Sequence, residues 1–332
     1  VSTPHAAVKK SPLASAVRHK RHRPSGERKN PCLLWESVKV VLTDIVDVLA
    51  TPGDFQPLSM ADDGLSLVAA DGRSFPINES GYVTIAGAEG LRYQGDDAEM
   101  ISAREAFLSR GHYATFVEAV TAAVHDALDD AGVDDDASPV LLEVGAGTGY
   151  YLSHSLDSIP GSTGVGIDVS LPAASILAHC HPRVGAVVAD AWAQLPLKDN
   201  SVDVIAVAFA PRNASEFARV LKPGGQVVVL TDVPGHLLEL REPLGITDVE
   251  EGKLERLIDQ ASSHLTPIAE PEIIEFPMTL DQQSIAAQIG MSPSARHIHP
   301  DVLGRRIAAL PDHMTVTARA AILRFAARSE EN

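Results

Sequence analysis

The chain has 332 residues, 45% of them hydrophobic, and a formal net charge of −17. That length can bury a full apolar core, and no apolar run approaches the roughly 20 residues of a membrane-spanning helix. Cys32 and Cys180 lie far apart, which argues against a disulfide framework and for a reducing, cytoplasmic setting.

The first 30 residues carry eight Lys and Arg against Glu27, a net charge of +7, which leaves −24 on the remainder. Residues 1–44 therefore read as a basic, disordered tail that could grip nucleic acid or simply be solvated. Residues 45–90 form a small Gly- and Asp-rich module with apolar scraps at 65–68 and 74–77. So small a piece cannot hold itself together by its own core. Residues 91–332 form the main domain. After Asp96, apolar Met100, Ile101, Ala103, Phe107 and Leu108 recur at helical spacing, and Gly111 closes the helix. A second helix is predicted over 114–131 and a linker over 134–139. Predicted strands at 139–145, 165–169, 184–189, 201–209 and 225–231 then alternate with helices ending near 158, 180, 221 and 241. Such alternation implies an α/β fold, a doubly wound parallel sheet covered on both faces. The last third is mixed, with helices expected over 249–262 and 280–289 and strands over 273–278 and 315–326.

The first predicted strand runs into Gly145, Gly147 and Gly149. Glycine is needed where a backbone turns sharply and a ligand comes close. The dinucleotide spacing G-x-G-x-x-G would need glycine at position 150, which is Tyr, so a nucleoside with a short charged tail fits better than NAD. Asp168 ends the next strand, 25 residues beyond Glu143, near the separation at which an acid meets ribose hydroxyls. Asp190 ends the third strand and could reach an adenine amino group, with Trp192 beside the ring. Glu143 could orient the loop or meet an ammonium. A glycine loop followed by two strand-end acids makes a class I S-adenosylmethionine site in a Rossmann-like sheet. The bland alternative is that these are turn residues of an α/β protein.

Further segments carry a narrower resemblance: Gly81-Tyr-Val83, Gly95 to Met100 with Ala103-Arg104, Phe107-Leu108, Gly111-His-Tyr113, Gly149-Tyr-Tyr151, Phe209-Ala-Pro-Arg-Asn213, His236-Leu-Leu-Glu-Leu240 and Met291-Ser-Pro-Ser-Ala-Arg296. In this order, over roughly residues 45–327, they resemble the bacterial large-subunit rRNA (guanine-N1)-methyltransferases, closest to the branch linked to tylosin and other macrolide resistance. The resemblance implies S-adenosylmethionine as methyl donor, an rRNA hairpin as acceptor, cytoplasmic action, and a homodimer as one oligomeric state. Carried over by match, it implies cofactor contacts from Tyr113, from Tyr151 with Leu152, and from His236. Ordinary packing of Tyr113 and a ligand-free helix start at His236 are the plainer readings. The family begins with a zinc ribbon, and the matching positions here are Thr51, Asp54, Ala69 and Arg73. These cannot supply four ligands, so a degenerate ribbon-like module without metal is expected, supported by Phe55, Leu67, Phe75 and Tyr82 packing on the main domain.

Guanine N1 carries a proton that must leave on methylation, and a carboxylate or His could take it. His236, Glu239 and Arg212 are the candidate catalytic residues. The module's acids, Asp54, Asp62, Asp63, Asp71 and Glu79, would repel phosphates. A small-molecule methyltransferase and a non-catalytic S-adenosylmethionine-binding factor are therefore the alternatives.

Overall fold

Residues 41–134, 136–246, 249–292 and 298–328 are described by a computed structural model, in which the chain enters as a helical turn over 41–45. Val41, Leu42 and Ile45 are buried there, so the described fold takes in part of the stretch that composition assigns to the tail. The cause is three apolar side chains at helical spacing that find a sheet to cover. The tail up to residue 40 lies outside the described residues.

Leu58–Met60 (β1), Ser66–Ala69 (β2) and Ser74–Pro76 (β3) form an antiparallel three-stranded sheet. Val83–Thr84 (β4) precedes two helices, Ala98–Leu108 (α1) and Ala114–Asp130 (α2). Asp97 caps α1 by accepting from the Met100 N–H. The alternating region follows as Val140–Val144 (β5), Tyr150–Ser158 (α3), Thr163–Asp168 (β6), Leu171–Leu177 (α4), Val184–Val188 (β7), Val202–Ala208 (β8), Ala214–Val220 (α5) and Leu221–Asp232 (β9). The last third comprises Leu238–Leu244 (α6), Lys253–Ala261 (α7), Leu265–Pro267 (β10), Glu272–Asp281 (β11), Gln282–Gly290 (α8), Pro300–Ala308 (α9) and His313–Ala327 (β12).

The main sheet has strand order β10-β12-β9-β8-β5-β6-β7-β4, with β11 also pairing to β12. Strands from β9 through β4 are parallel, and β12 adds antiparallel to β9. The order reverses at β5, which lies between β6 and β8. In such sheets ligands bind outside the carboxyl ends of the strands at this reversal.

The two faces are covered differently. One carries α1, α2, α3, α4 and α8, with Phe107, Phe116, Leu152, Leu177 and Ile285 fully buried or nearly so. The other carries α5 and α7 over most of its width. Between β7 and β8, residues 189–201 contain no helix, so part of this face would lie open. The N-terminal segment and the small module fill it. Leu42, Ile45, Leu49, Leu58, Leu67 and Ile77 share one core with Val165, Val187, Leu195 and Leu197. Leu49 bridges Leu197, and Ala50 N–H donates to the Pro196 carbonyl. Gly185 is glycine for the same reason, since a Cβ there would sit 2.2 Å from Ile45 Cδ1.

The module thus rests on the main domain. Leu67 is fully buried and Phe75 partly so, while Tyr82 packs into the opposite core. Phe55 meets the main domain only at its surface. It adopts φ 53° and remains 36% exposed, with the Arg219 guanidinium 4.6 Å above its ring.

Candidate functional site

Two cavities open at the carboxyl ends of β5, β6, β8 and β9. The first, about 310 Å³, is lined by Gly145, Gly147, Asp168, Asp190, Trp192 and Tyr93. The second, about 600 Å³, is lined by Tyr113, Tyr151, Asp232, His236, Arg241, Lys253 and Gln288. Arg104, Phe209 and Met291 line both, so the two form one bent crevice.

The glycine loop builds the floor of the first cavity. Gly145 has φ 70°, and a Cβ on it would lie 2.4 Å from the Ala210 Cβ. Gly149 has φ 77° and faces Cys180 Sγ at 2.5 Å in the same sense. It lines neither cavity and instead lets α3 start against α4. Asp168 holds the loop, accepting from Gly147 N–H at 2.8 Å and from Ser170 N–H at 2.8 Å. A carboxylate has further lone pairs, so hydroxyl groups in the cavity can still reach it. Burial raises the Asp168 carboxyl above its ordinary range. Asp190 Oδ1 accepts from Trp192 N–H, whereas the buried Oδ2 has no hydrogen-bond partner and meets only the Arg92 guanidinium at 3.5 Å. A buried acceptor aimed into a nucleoside-sized cavity is what an exocyclic amine would satisfy.

Glu143 and Leu152 lie beneath the cavities. Glu143 Oε2 accepts from Leu152 N–H at 2.9 Å, and burial pushes the Glu143 carboxyl up to about 8. Of its two sequence readings, this position suits orientation of the loop.

The second cavity holds a polar chain. His236 Nδ1 accepts from the Arg319 N–H at 3.0 Å, which leaves the ring proton on Nε2, 3.2 Å from the Tyr113 hydroxyl. Gln288 Nε2 also lies 3.4 Å from that hydroxyl. With two donors directed at its oxygen, Tyr113 has its own proton free to donate into the crevice. Burial lowers His236 to about 4 and raises Tyr113 and Tyr151 well above the ordinary phenol range. The buried Tyr151 hydroxyl and Gln288 Oε1 have no partner. Arg104 pairs with Asp96 at 2.5 Å across the seam between the cavities, and its buried Nε is unpartnered. Phe209, at the end of β8, adopts φ 53° between Tyr113 and Phe116, a costly conformation for a bulky residue that clusters at functional positions.

Two candidates fall elsewhere. Both oxygens of Glu239 are taken by Thr317, from N–H at 2.9 Å and Oγ1 at 2.7 Å. Glu239 lines neither cavity and ties α6 to β12. Arg212 lines a separate cavity of about 350 Å³ with Trp192, Phe217 and Gln260. Asp232 and Lys253 carry no local signature in the sequence, and Arg104 stands out there only within the matched Ala103-Arg104 pair.

The four ribbon positions do not suit a metal. Thr51 Oγ1 donates to Asp54 Oδ1 at 2.5 Å and accepts from Gln56 N–H at 2.9 Å. Arg73 pairs with Asp54 and, at 2.7 Å, with Asp71. A guanidinium thus stands among the positions where a cation would bind. Among the described residues, no three His, Cys, Asp or Glu side chains converge as a metal centre requires.

Residues 142–229 match the family model described as "Methyltransferase domain". Over 291 residues the chain is 38% identical to "Putative 23S rRNA (guanine-N(1)-)-methyltransferase" of Micromonospora griseorubida, covering 85% of this chain and 98% of that protein. It is 34% identical to "23S rRNA (guanine(748)-N(1))-methyltransferase" of Streptomyces fradiae, covering 82% of this chain and 95% of that one. A Bacillus subtilis protein of the same kind is 26% identical over 71% of this chain and 82% of its own length.

Proposed function

The chain belongs to the 23S rRNA (guanine-N1)-methyltransferase family, and we propose that it methylates N1 of a guanine in large-subunit rRNA. As a family member it is an S-adenosylmethionine-dependent methyltransferase with a class I fold. The observation that carries the acceptor reading is the bent crevice. One arm has the glycine floor and acids of a nucleoside site, and the other is lined by Arg104, Arg241 and Lys253. Cations beside an aromatic-walled cavity suit a splayed-out base with its phosphates. Among the described residues, none before Tyr93 lines either arm, so the acidic module stays off the cavity walls.

The orphaned buried atoms fit S-adenosylmethionine. Asp190 Oδ2 would accept the adenine amine, Asp168 would meet the ribose hydroxyls, and Tyr113, Tyr151 and Arg104 would hold the amino-acid end. When bound, this group supplies an activated methyl. The chain's residues supply alignment and exclusion of water, Phe209 and Met291 standing at the seam where donor and acceptor meet.

The ribbon-like module is read as metal-free, because a guanidinium and a hydroxyl occupy its ligand positions. Metal analysis of the purified protein is expected to find no zinc at the level of the protein, and one zinc per chain would overturn this. No helix among the described residues is long and apolar enough to cross a membrane, and cytoplasmic action is what the rRNA reading implies. A homodimer is the oligomer the family resemblance implies, which light scattering would read directly.

The decisive experiment is mass spectrometry of 23S rRNA from a strain lacking this gene. Loss of one N1-methylguanine, restored by the purified protein with S-adenosylmethionine, is the expected result. Persistence of every N1-methylguanine would sink the rRNA reading.

A further inference from the structure

Methylation of guanine N1 requires a group that takes the N1 proton, and the crevice limits the choice. His236 is a poor acceptor. Its Nδ1 is filled by the Arg319 N–H and its Nε2 faces Tyr113. Glu239 is tied to Thr317. Glu250 also lines the second cavity, but its side chain is 79% exposed and paired to Arg256. Asp232 remains. It ends β9, whose neighbour β8 pairs Ala208 with Leu230, so Asp232 stands one strand over from Phe209 at the seam. Lys253 from α7 grips Asp232 Oδ1. That contact fixes the carboxylate, which lines the second cavity and has a second oxygen, Oδ2, with lone pairs to accept.

We propose that the Asp232 carboxylate accepts the guanine N1 proton, with Lys253 as its positioning residue. This rests on the guanine-N1 reading above. The N1–H bond breaks with its proton passing to Asp232. The N1 electron pair forms the bond to the methyl carbon, and the electrons of the carbon–sulfur bond return to sulfur. The sulfonium charge and the carboxylate charge disappear together, so no other co-reactant is needed. Before transfer, the same carboxylate accepts a hydrogen bond from N1–H, which an already methylated guanine cannot offer. The charged or titratable groups that line the cavity with Asp232 or act on it are Lys253 from α7, His236, Arg241 and Glu250 after β9, Arg104 from α1, Tyr113 at the start of α2, Tyr151 from α3 and Arg212 after β8.

The test compares wild type with D232N, D232A, D232E, K253M and K253R on a 23S rRNA hairpin containing guanine 748. Single-turnover transfer by D232N at pH 7 is expected to fall about 10²- to 10⁴-fold, the usual share of a proton acceptor. Its affinity for S-adenosylhomocysteine should stay within about threefold of wild type. D232N should regain rate as pH rises, because the guanine then loses its proton to solvent. Without any donor, wild type should bind the unmodified hairpin about tenfold more tightly than one carrying N1-methylguanine, the worth of one hydrogen bond to a charged acceptor. D232A should lose that preference. Transfer by D232N within about threefold of wild type overturns the inference. If D232N fails to bind S-adenosylhomocysteine, D232E and K253M decide. D232E and K253M should both be slower in transfer while binding S-adenosylhomocysteine as wild type does, K253R should recover most of the K253M loss, and transfer equal to wild type in D232E and K253M overturns the inference. A wild-type protein that methylates no guanine N1 sinks the function reading and this inference with it. An active wild type with an equally active D232N sinks this inference alone.

Discussion

At the scale of single residues, burial rather than pairing sets the chemistry of the crevice. Glu143 is the clearest case, since burial pushes its carboxyl up to about 8 against an ordinary value of 4.5. The folded protein therefore holds a proton there that the unfolded chain releases. The stabilisation is complete below about pH 4.5 and is lost as pH rises toward 8. Gln in its place keeps an oxygen for Leu152 N–H and cannot ionise. The expected result is that Glu143→Gln melts at a temperature that varies less between pH 5 and pH 8 than wild type does, read by thermal unfolding. Parallel curves would show that Glu143 does not titrate across that window. Asp190 makes a different case, because its value lies in one unsatisfied oxygen. Asp190→Ala removes an acceptor worth about 1.5–3 kcal/mol when it meets a donor. S-adenosylhomocysteine should bind about tenfold or more weakly, with the melting temperature of the free protein little changed. Unchanged affinity by calorimetry would remove Asp190 from the adenine site.

At the scale of elements, the small module is explained by a gap in the sheet's cover. The connection from β7 to β8 carries no helix, and the N-terminal segment with β1, β2 and β3 takes that place. Leu67 is fully buried in the shared core. Leu67→Ala should cost about 2–5 kcal/mol and lower the melting temperature of the whole protein as one transition, because module and sheet have no separate cores. Two transitions by calorimetry, with only the first displaced, would show that the module folds alone. Packing of Leu67 and Phe75 on the main domain was legible in the sequence, but the face they cover was not, because Val187, Leu195 and Leu197 lie more than a hundred residues further along the chain. The glycine loop and the acids Asp168 and Asp190 were legible because a strand ending in a turn is a local pattern. Asp232 and Lys253 were not, because neither belongs to a motif and they meet only when α7 folds back on β9. The helix Pro300–Ala308 was also missed. Gly304 interrupts its periodicity, and Ile307 is its only buried residue.

At the scale of the whole molecule, the question is how a chain of net charge −17 approaches a polyanion. Exposed charges more than about 10 Å apart are largely screened at 0.1 M salt, so the local field decides. Arg104, Arg241 and Lys253 line the acceptor arm, but Arg104 and Lys253 are paired with acids. Asp232 and Glu250 line the same arm, so its cations are in part already neutralised. The first 30 residues, at +7, hold the largest block of unbalanced positive charge in the sequence. If they contact phosphates, each contact releases a counterion and steepens the salt dependence of binding by about 0.7–0.9. Removal of residues 1–40 leaves Val41, Leu42 and Ile45 in place under the sheet, so the fold and the affinity for S-adenosylhomocysteine should be kept. The slope of log affinity against log salt for the rRNA hairpin should then fall by several units, up to about 5–6 for seven contacts, with the largest loss of affinity at low salt. Transfer within the formed complex should be unchanged, because the shortened chain still contains every crevice residue. A slope identical to that of the full chain would show that the tail takes no part, and that the crevice cations with the surface arginines around α6 and α9 suffice to hold the RNA.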